Sequence, residues 1–144
     1  MIQFFINEQL VQVENERADL SLLNFLRNDK KLSGTKEGCA SGDCGACTVV
    51  RAELLENETG EPEVKFKAIN SCVTFLSTLH GTQILTVESL RVGNNLHPVQ
   101  QAMVKANATQ CGFCTPGFVM SLYAFYQHHD TAKRQDIINA LSGN

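Results

Sequence analysis

Cys39, Cys44 and Cys47 stand in the spacing C-x4-C-x2-C, and a fourth cysteine, Cys72, follows twenty-five positions later. This is the spacing of plant-type [2Fe-2S] sites. Each iron of such a cluster takes two thiolates beside two bridging sulfides, so three ligands on one loop wrap the cluster while the fourth comes from another element. Glycines lie among the ligands, and a missing side chain lets backbone N–H groups reach sulfur and stabilise added negative charge. Gly42, between Cys39 and Cys44, and Gly45, between Cys44 and Cys47, are therefore expected to shape the cofactor site. A four-cysteine zinc site is the competing reading, although such sites usually pair two short C-x2-C knuckles and this set holds one. A disulfide fits poorly without a secretion signal. A nucleophilic cysteine needs a base, whereas His80, His97, His128 and His129 are distant in sequence.

A second set, Cys111-Gly112-Phe113-Cys114, comes nearly forty residues later and is followed by Thr115-Pro116. It stands just before a helix start, where the partial positive charge of the helix end suits an anionic ligand. A thioredoxin-like dithiol shares this spacing, but that motif follows a strand in a βαβ unit, and here a helix and a short polar stretch precede it. The pair reads better as half a metal site.

The elements that must position these cysteines are legible in the periodicity. Ile2, Phe4 and Ile6 alternate, Asn7-Glu8-Gln9 is turn-like, and Leu10, Val11 and Val13 resume a strand, which predicts a hairpin. Leu22, Leu23, Phe25 and Leu26 predict a short helix over 19–27, capped by Asp19 or Ser21 and packed on the sheet. Residues 34–47 have no period, and Gly34, Gly38, Gly42 and Gly45 mark a loop wrapped around a ligand. Strands follow over 48–55 and 64–69, joined by the polar ENETGEPE, so a hairpin links Cys47 to Cys72; a last strand spans 82–87. After Leu96 the pattern is helical, with helices starting at Pro98 and Pro116 and a third over 134–141. The class is thus α+β: a small mixed sheet clasping one helix, then an all-α lobe, with the boundary near 90–96. His97 precedes a proline and His128-His129 sit near a helix end, where a cation suits the dipole, so neither needs a metal role.

Composition excludes several classes. The chain has 144 residues, 43% hydrophobic and 19% charged, with 12 basic against 15 acidic residues and a net charge of -3. That fits one domain or two small lobes and advertises no nucleic-acid surface. No apolar run nears the roughly 18 residues that span a bilayer, and the N-terminus lacks a signal-peptide pattern, so a cytoplasmic protein with no membrane partner is expected. Six cysteines are too few for a secreted disulfide scaffold, which favours metal or redox chemistry.

GCASGDCGACTVV, the NSC around Cys72 and TQCGFCTPGFVMSL, in this order, resemble the iron-sulfur region of the molybdenum hydroxylase family, its xanthine dehydrogenase branch above all. The resemblance spans the chain. It implies a ferredoxin-like β-grasp lobe over 1–90 that binds one [2Fe-2S] cluster, and a helical lobe over 91–144 that binds a second, between the first and molybdopterin. FAD lies beyond the first cluster. By the same resemblance Cys39, Cys44, Cys47 and Cys72 are the ligands of the cluster nearer the flavin. Cys111 and Cys114 are half of the second ligand set, and Gln110 is the residue that approaches the pterin. The family adds a C-x-C pair shortly after a Gly-Asn, whereas these residues end at Gly143-Asn144, so an incomplete second site is expected, as is the absence of the flavin-binding region. The implied role is to carry electrons singly from the molybdenum centre of a molybdopterin-binding subunit towards an FAD domain and NAD, within an oxidoreductase that hydroxylates purines. No catalytic residue is assigned to this chain. Rival readings are a free-standing ferredoxin-like carrier, to which the helical lobe would be useless, and a structural zinc module.

Overall fold

Alternation at the N-terminus produces the expected hairpin in the computed structural model, which describes residues 1–14 and 18–144. β1 (Ile2–Ile6) pairs antiparallel with β2 (Gln9–Val13). Ile2, Phe4, Ile6, Val11 and Val13 are buried on one face. Of the two candidate caps, Ser21 starts the first helix: its hydroxyl oxygen accepts the Asn24 N–H at 3.3 Å. Helix α1 (Leu22–Asn24) widens into a π turn over Phe25–Asp29, so the helical segment begins and ends slightly later than its periodicity suggests. Leu22, Phe25 and Leu26 pack on the sheet with Phe4, Val49, Leu76 and Ile84, as an amphipathic segment must to leave water.

β3 (Thr48–Glu56) and β4 (Pro62–Asn70) form a long antiparallel hairpin. β5 (Gln83–Leu85) lies parallel to β1 and antiparallel to β3, which gives a mixed sheet of order β2-β1-β5-β3-β4. This last strand is shorter than the expected 82–87. The Thr86 N–H donates to the side-chain oxygen of Asn7 at 2.9 Å in place of a ladder partner, and the chain turns into a 3-10 segment at Val87–Leu90.

Helices cover the other face of the same sheet. α2 (Pro98–Lys105) and α3 (Thr115–Tyr126) carry a proline in their first turn, where its missing N–H costs nothing. α3 lies on β3 and β4, flanked by α2 and by α4 (Arg134–Ala140). Val50 meets Leu90, Val99, Val119, Met120 and Ala124 in a second core, while the adjacent Val49 faces the first. β3 is therefore buried on both faces. His97 caps α2: its Nδ1 accepts the Val99 N–H at 3.2 Å, and its own N–H donates to Gln100 Oε1 at 3.0 Å. His129 stacks on Phe125 at the end of α3, and His128 Nε2 lies 3.0 Å from the Phe66 backbone nitrogen, joining that helix end to β4. The architecture is α+β. Among the described residues no helix is long and apolar enough to cross a membrane.

Candidate metal centre

The β3–β4 hairpin solves the problem of bringing distant cysteines together. Thr48 is paired with Asn70, so Cys47, just before β3, and Cys72, just after β4, emerge at the same end of the ladder. Between them Ser71 is fully buried, and both its hydroxyl and its N–H donate to the Cys47 carbonyl, at 2.7 and 3.3 Å. Cys47 is buried and Cys72 half-buried. Burial first, and the neighbouring Cys47 thiol second, push the Cys72 thiol up to about 11. A cation at the site would offset both effects, because metal binding and thiol deprotonation are linked.

Cys39 and Cys44 lie on the preceding loop, exposed. The Cys39 sulfur accepts the N–H groups of Ser41 and Asp43, each at 3.4 Å, and of Cys44 at 3.3 Å, while Cys44 Sγ accepts the Cys39 N–H at 3.4 Å. The Ser41 hydroxyl, together with these amides, holds the Cys39 thiol down at about 6. A loop that turns its N–H groups onto sulfur is built for thiolate. Such a path needs unusual backbone: Gly42 has φ +79° and Gly45 φ +71°, in the left-handed region that disfavours a side chain. Gly38 is required by proximity instead, since a β-carbon there would come within 2.6 Å of Cys44 Sγ. The Gly42 N–H also faces the Cys72 sulfur, and the Gly42 carbonyl accepts from Asn70 Nδ2 at 2.6 Å, which fastens the loop to the strand end beside Cys72.

Four thiols, two on the loop and two at the mouth of the hairpin, thus face one end of the sheet. Among the described residues no three His, Cys, Asp or Glu side chains converge on a single point. A binuclear cluster asks for donors in pairs, two thiolates to each iron. All-sulfur donors with N–H groups already turned onto one of them fit a [2Fe-2S] cluster.

Gly45 connects this loop to the helices. Its carbonyl lies against Gly117 in the first turn of α3, where no β-carbon would fit, and it accepts from Asn144 Nδ2 at 3.1 Å. Cys114 immediately precedes α3, and Cys111 and Cys114 are both exposed. Their loop is latched by the hydroxyls of Thr109 and Thr115, 2.6 Å apart. The two cysteines and Gln110 line one open pocket of about 360 Å³.

Sequence reasoning alone did not single out Ser41, Asn70, Ser71 or Asn144 as parts of the site. Asn70 and Ser71 directly precede Cys72 in the NSC motif and were within reach. Asn144 is ninety-nine positions from Gly45 and carries no local signal.

A mixed sheet that clasps a helix, holds four thiols at one end and carries helices on its second face is an arrangement suited to an iron-sulfur protein. The profile described as the 2Fe-2S iron-sulfur cluster binding domain matches residues 4–77, and that of the [2Fe-2S] binding domain matches residues 86–144. The chain belongs to this 2Fe-2S iron-sulfur cluster binding family. Xanthine dehydrogenase of Drosophila pseudoobscura pseudoobscura is 41% identical over 98% of the chain, and aldehyde oxidase 1 of Rattus norvegicus 40% identical over 98%. The chain spans about a tenth of the length of these relatives. Among solved structures, a chain of quinoline 2-oxidoreductase from Pseudomonas putida 86 superposes with a TM-score of 0.78 at 31% identity, covering 99% of this chain and 80% of that one. Aldehyde oxidoreductase from Desulfovibrio gigas gives 0.79 at 33% identity, covering 97% of this chain and 14% of that one.

Proposed function

We propose that this chain is the electron-transfer module of a molybdenum hydroxylase of the xanthine dehydrogenase and aldehyde oxidase type. The observation that carries the reading is the meeting of Cys47 and Cys72 across the β3–β4 ladder, opposite a loop whose N–H groups point at the Cys39 sulfur. Cys39, Cys44, Cys47 and Cys72 would hold the first [2Fe-2S] cluster. When bound, the cluster supplies one-electron chemistry. The chain's own part is to shield Cys47 in the core, keep Cys39 as thiolate and fix the loop by its glycines, the levers that set a cluster's potential.

The family matches over 4–77 and 86–144 support a division into a ferredoxin-like part over 1–90 and a helical part over 91–144. In the second part Cys111 and Cys114 would supply two ligands of a second cluster, and Gln110, open to solvent on the shared pocket, would approach a pterin. Molybdopterin and FAD belong to partner domains or subunits. Electrons would pass from the molybdenum centre through this module towards the flavin, and the substrate is chosen outside these residues. Purines are one option and aldehydes another, since relatives of both names match equally well.

The test is reconstitution of the protein with iron and sulfide, followed by metal analysis and electron paramagnetic resonance after reduction. A rhombic [2Fe-2S] signal that disappears in Cys72→Ser supports the reading. Stoichiometric zinc with no paramagnetic signal would overturn it.

A further inference from the structure

Three donors converge on one oxygen atom in the cysteine loop. The Gly45 carbonyl accepts the Thr48 N–H at 3.1 Å, the Thr48 hydroxyl at 2.7 Å and Asn144 Nδ2 at 3.1 Å. Both Thr48 bonds close a local turn three residues long. The third comes from the far end of the sequence, beyond α4.

Both ends of the Asn144 amide are committed. Its Oδ1 accepts the hydroxyl of Ser121, a buried residue of α3, at 2.6 Å, and its Nδ2 points to Gly45 O and, at 3.5 Å, to Thr48 Oγ1. A flipped amide would set its oxygen against the Gly45 carbonyl, so the orientation is determined by its partners. The Gly143 carbonyl and Asn144 also occupy the space that a side chain at position 45 would need. Position 45 is glycine for two reasons at once, its φ of +71° and this contact.

A trans peptide points its C=O and N–H in opposite directions. Three bonds on Gly45 O therefore also fix the direction of the Ala46 N–H, which sits between Cys44 and Cys47. We propose that Asn144 is a positioning residue for the first cluster: through the Gly45–Ala46 peptide it sets the loop between two thiolate ligands and locks that loop to α3, the helix that begins beside Cys114. The inference rests on the reading of Cys39, Cys44, Cys47 and Cys72 as cluster ligands. Polar groups one layer out from a metal centre typically alter its affinity and potential without touching it.

The experiment compares wild type, Asn144→Ala, Asn144→Asp and Ser121→Ala, each loaded with iron and sulfide. It reads the midpoint potential by titration under paramagnetic resonance and the rate of iron release to a chelator. Asn144→Ala should release iron several-fold faster and show a shifted potential. Asn144→Asp keeps an acceptor for Ser121 but sets a carboxylate against the Gly45 carbonyl; it should release iron at least as fast and have a lowered potential, because added negative charge opposes reduction. Ser121→Ala, which leaves the Nδ2 donor in place, should fall between wild type and Asn144→Ala. A purely structural role would lower the melting temperature of all three variants and leave the potential of the loaded fraction unmoved, and that result overturns the proposal. Should Asn144→Ala fail to fold, the Asn144→Asp potential decides alone. Wild-type protein that takes up no iron would overturn the functional reading and this inference together, whereas a loaded wild type matched in potential and release by Asn144→Ala and Asn144→Asp overturns only the inference.

Discussion

Gly117, in the first turn of α3, lies directly against the carbonyl oxygen of Gly45 in the cysteine loop, with no room for a β-carbon between them. The helix that begins beside the second cysteine pair and the loop that carries the first are thereby in backbone contact. Gly117→Ala must push one of the two away. Overpacking of this kind costs about 1–3 kcal/mol, so thermal unfolding should shift down by several degrees and the iron content after reconstitution should fall. An unchanged melting temperature would show that the helix slides freely over the loop.

Cys44→Ser removes a sulfur that is proposed as a cluster ligand and that also anchors the loop by accepting the Cys39 N–H. It should lose the reduced cluster signal and melt well below the loaded wild type, since the free energy of binding to a site absent in the unfolded chain is folding free energy. Metal analysis and calorimetry on the same sample check both effects.

Gly42 and Gly45 differ in what surrounds them. At Gly42 a β-carbon would meet Val73 at 3.2 Å, a contact that this exposed side chain can relieve by a small shift, so Gly42→Ala should carry mainly the left-handed backbone cost of about 1–2 kcal/mol. At Gly45 the space is filled by the backbone of Gly143 and by Asn144. Gly45→Val should therefore prevent stable loading, and iron retention on desalting ranks wild type above Gly42→Ala above Gly45→Val.

His97 caps α2 through an acceptor nitrogen, and burial lowers its pKa from the ordinary 6.5. A histidine depressed on folding binds fewer protons in the native than in the unfolded state. Its contribution is present above the unfolded value of 6.5 and is lost as pH falls through the lower folded value. Stability followed by denaturant between pH 7.5 and 5 should thus decline towards acid. His97→Asn, a good cap that does not titrate, should flatten that part of the profile.

Much of this protein was written locally. Cys39, Cys44 and Cys47 carry the spacing from which their chemistry is proposed, Pro98 and Pro116 start helices at fixed places, and the alternation of Ile2, Phe4 and Ile6 has only one face to bury, so short-range rules suffice for each. Tertiary structure decided the rest. Thr86 ends β5 early because Asn7, just past the end of the neighbouring β1, accepts its N–H. Val49 and Val50 divide between two cores because helices return to cover the second face of β3, which a run of adjacent apolar residues cannot announce. The sequence by itself determined which thiols have the spacing that suits an iron-sulfur cluster. The contacts among Gly45, Gly117, Ser121 and Asn144 exist only once α3 is laid on the sheet, because residues so far apart in the chain acquire a common neighbourhood through packing alone.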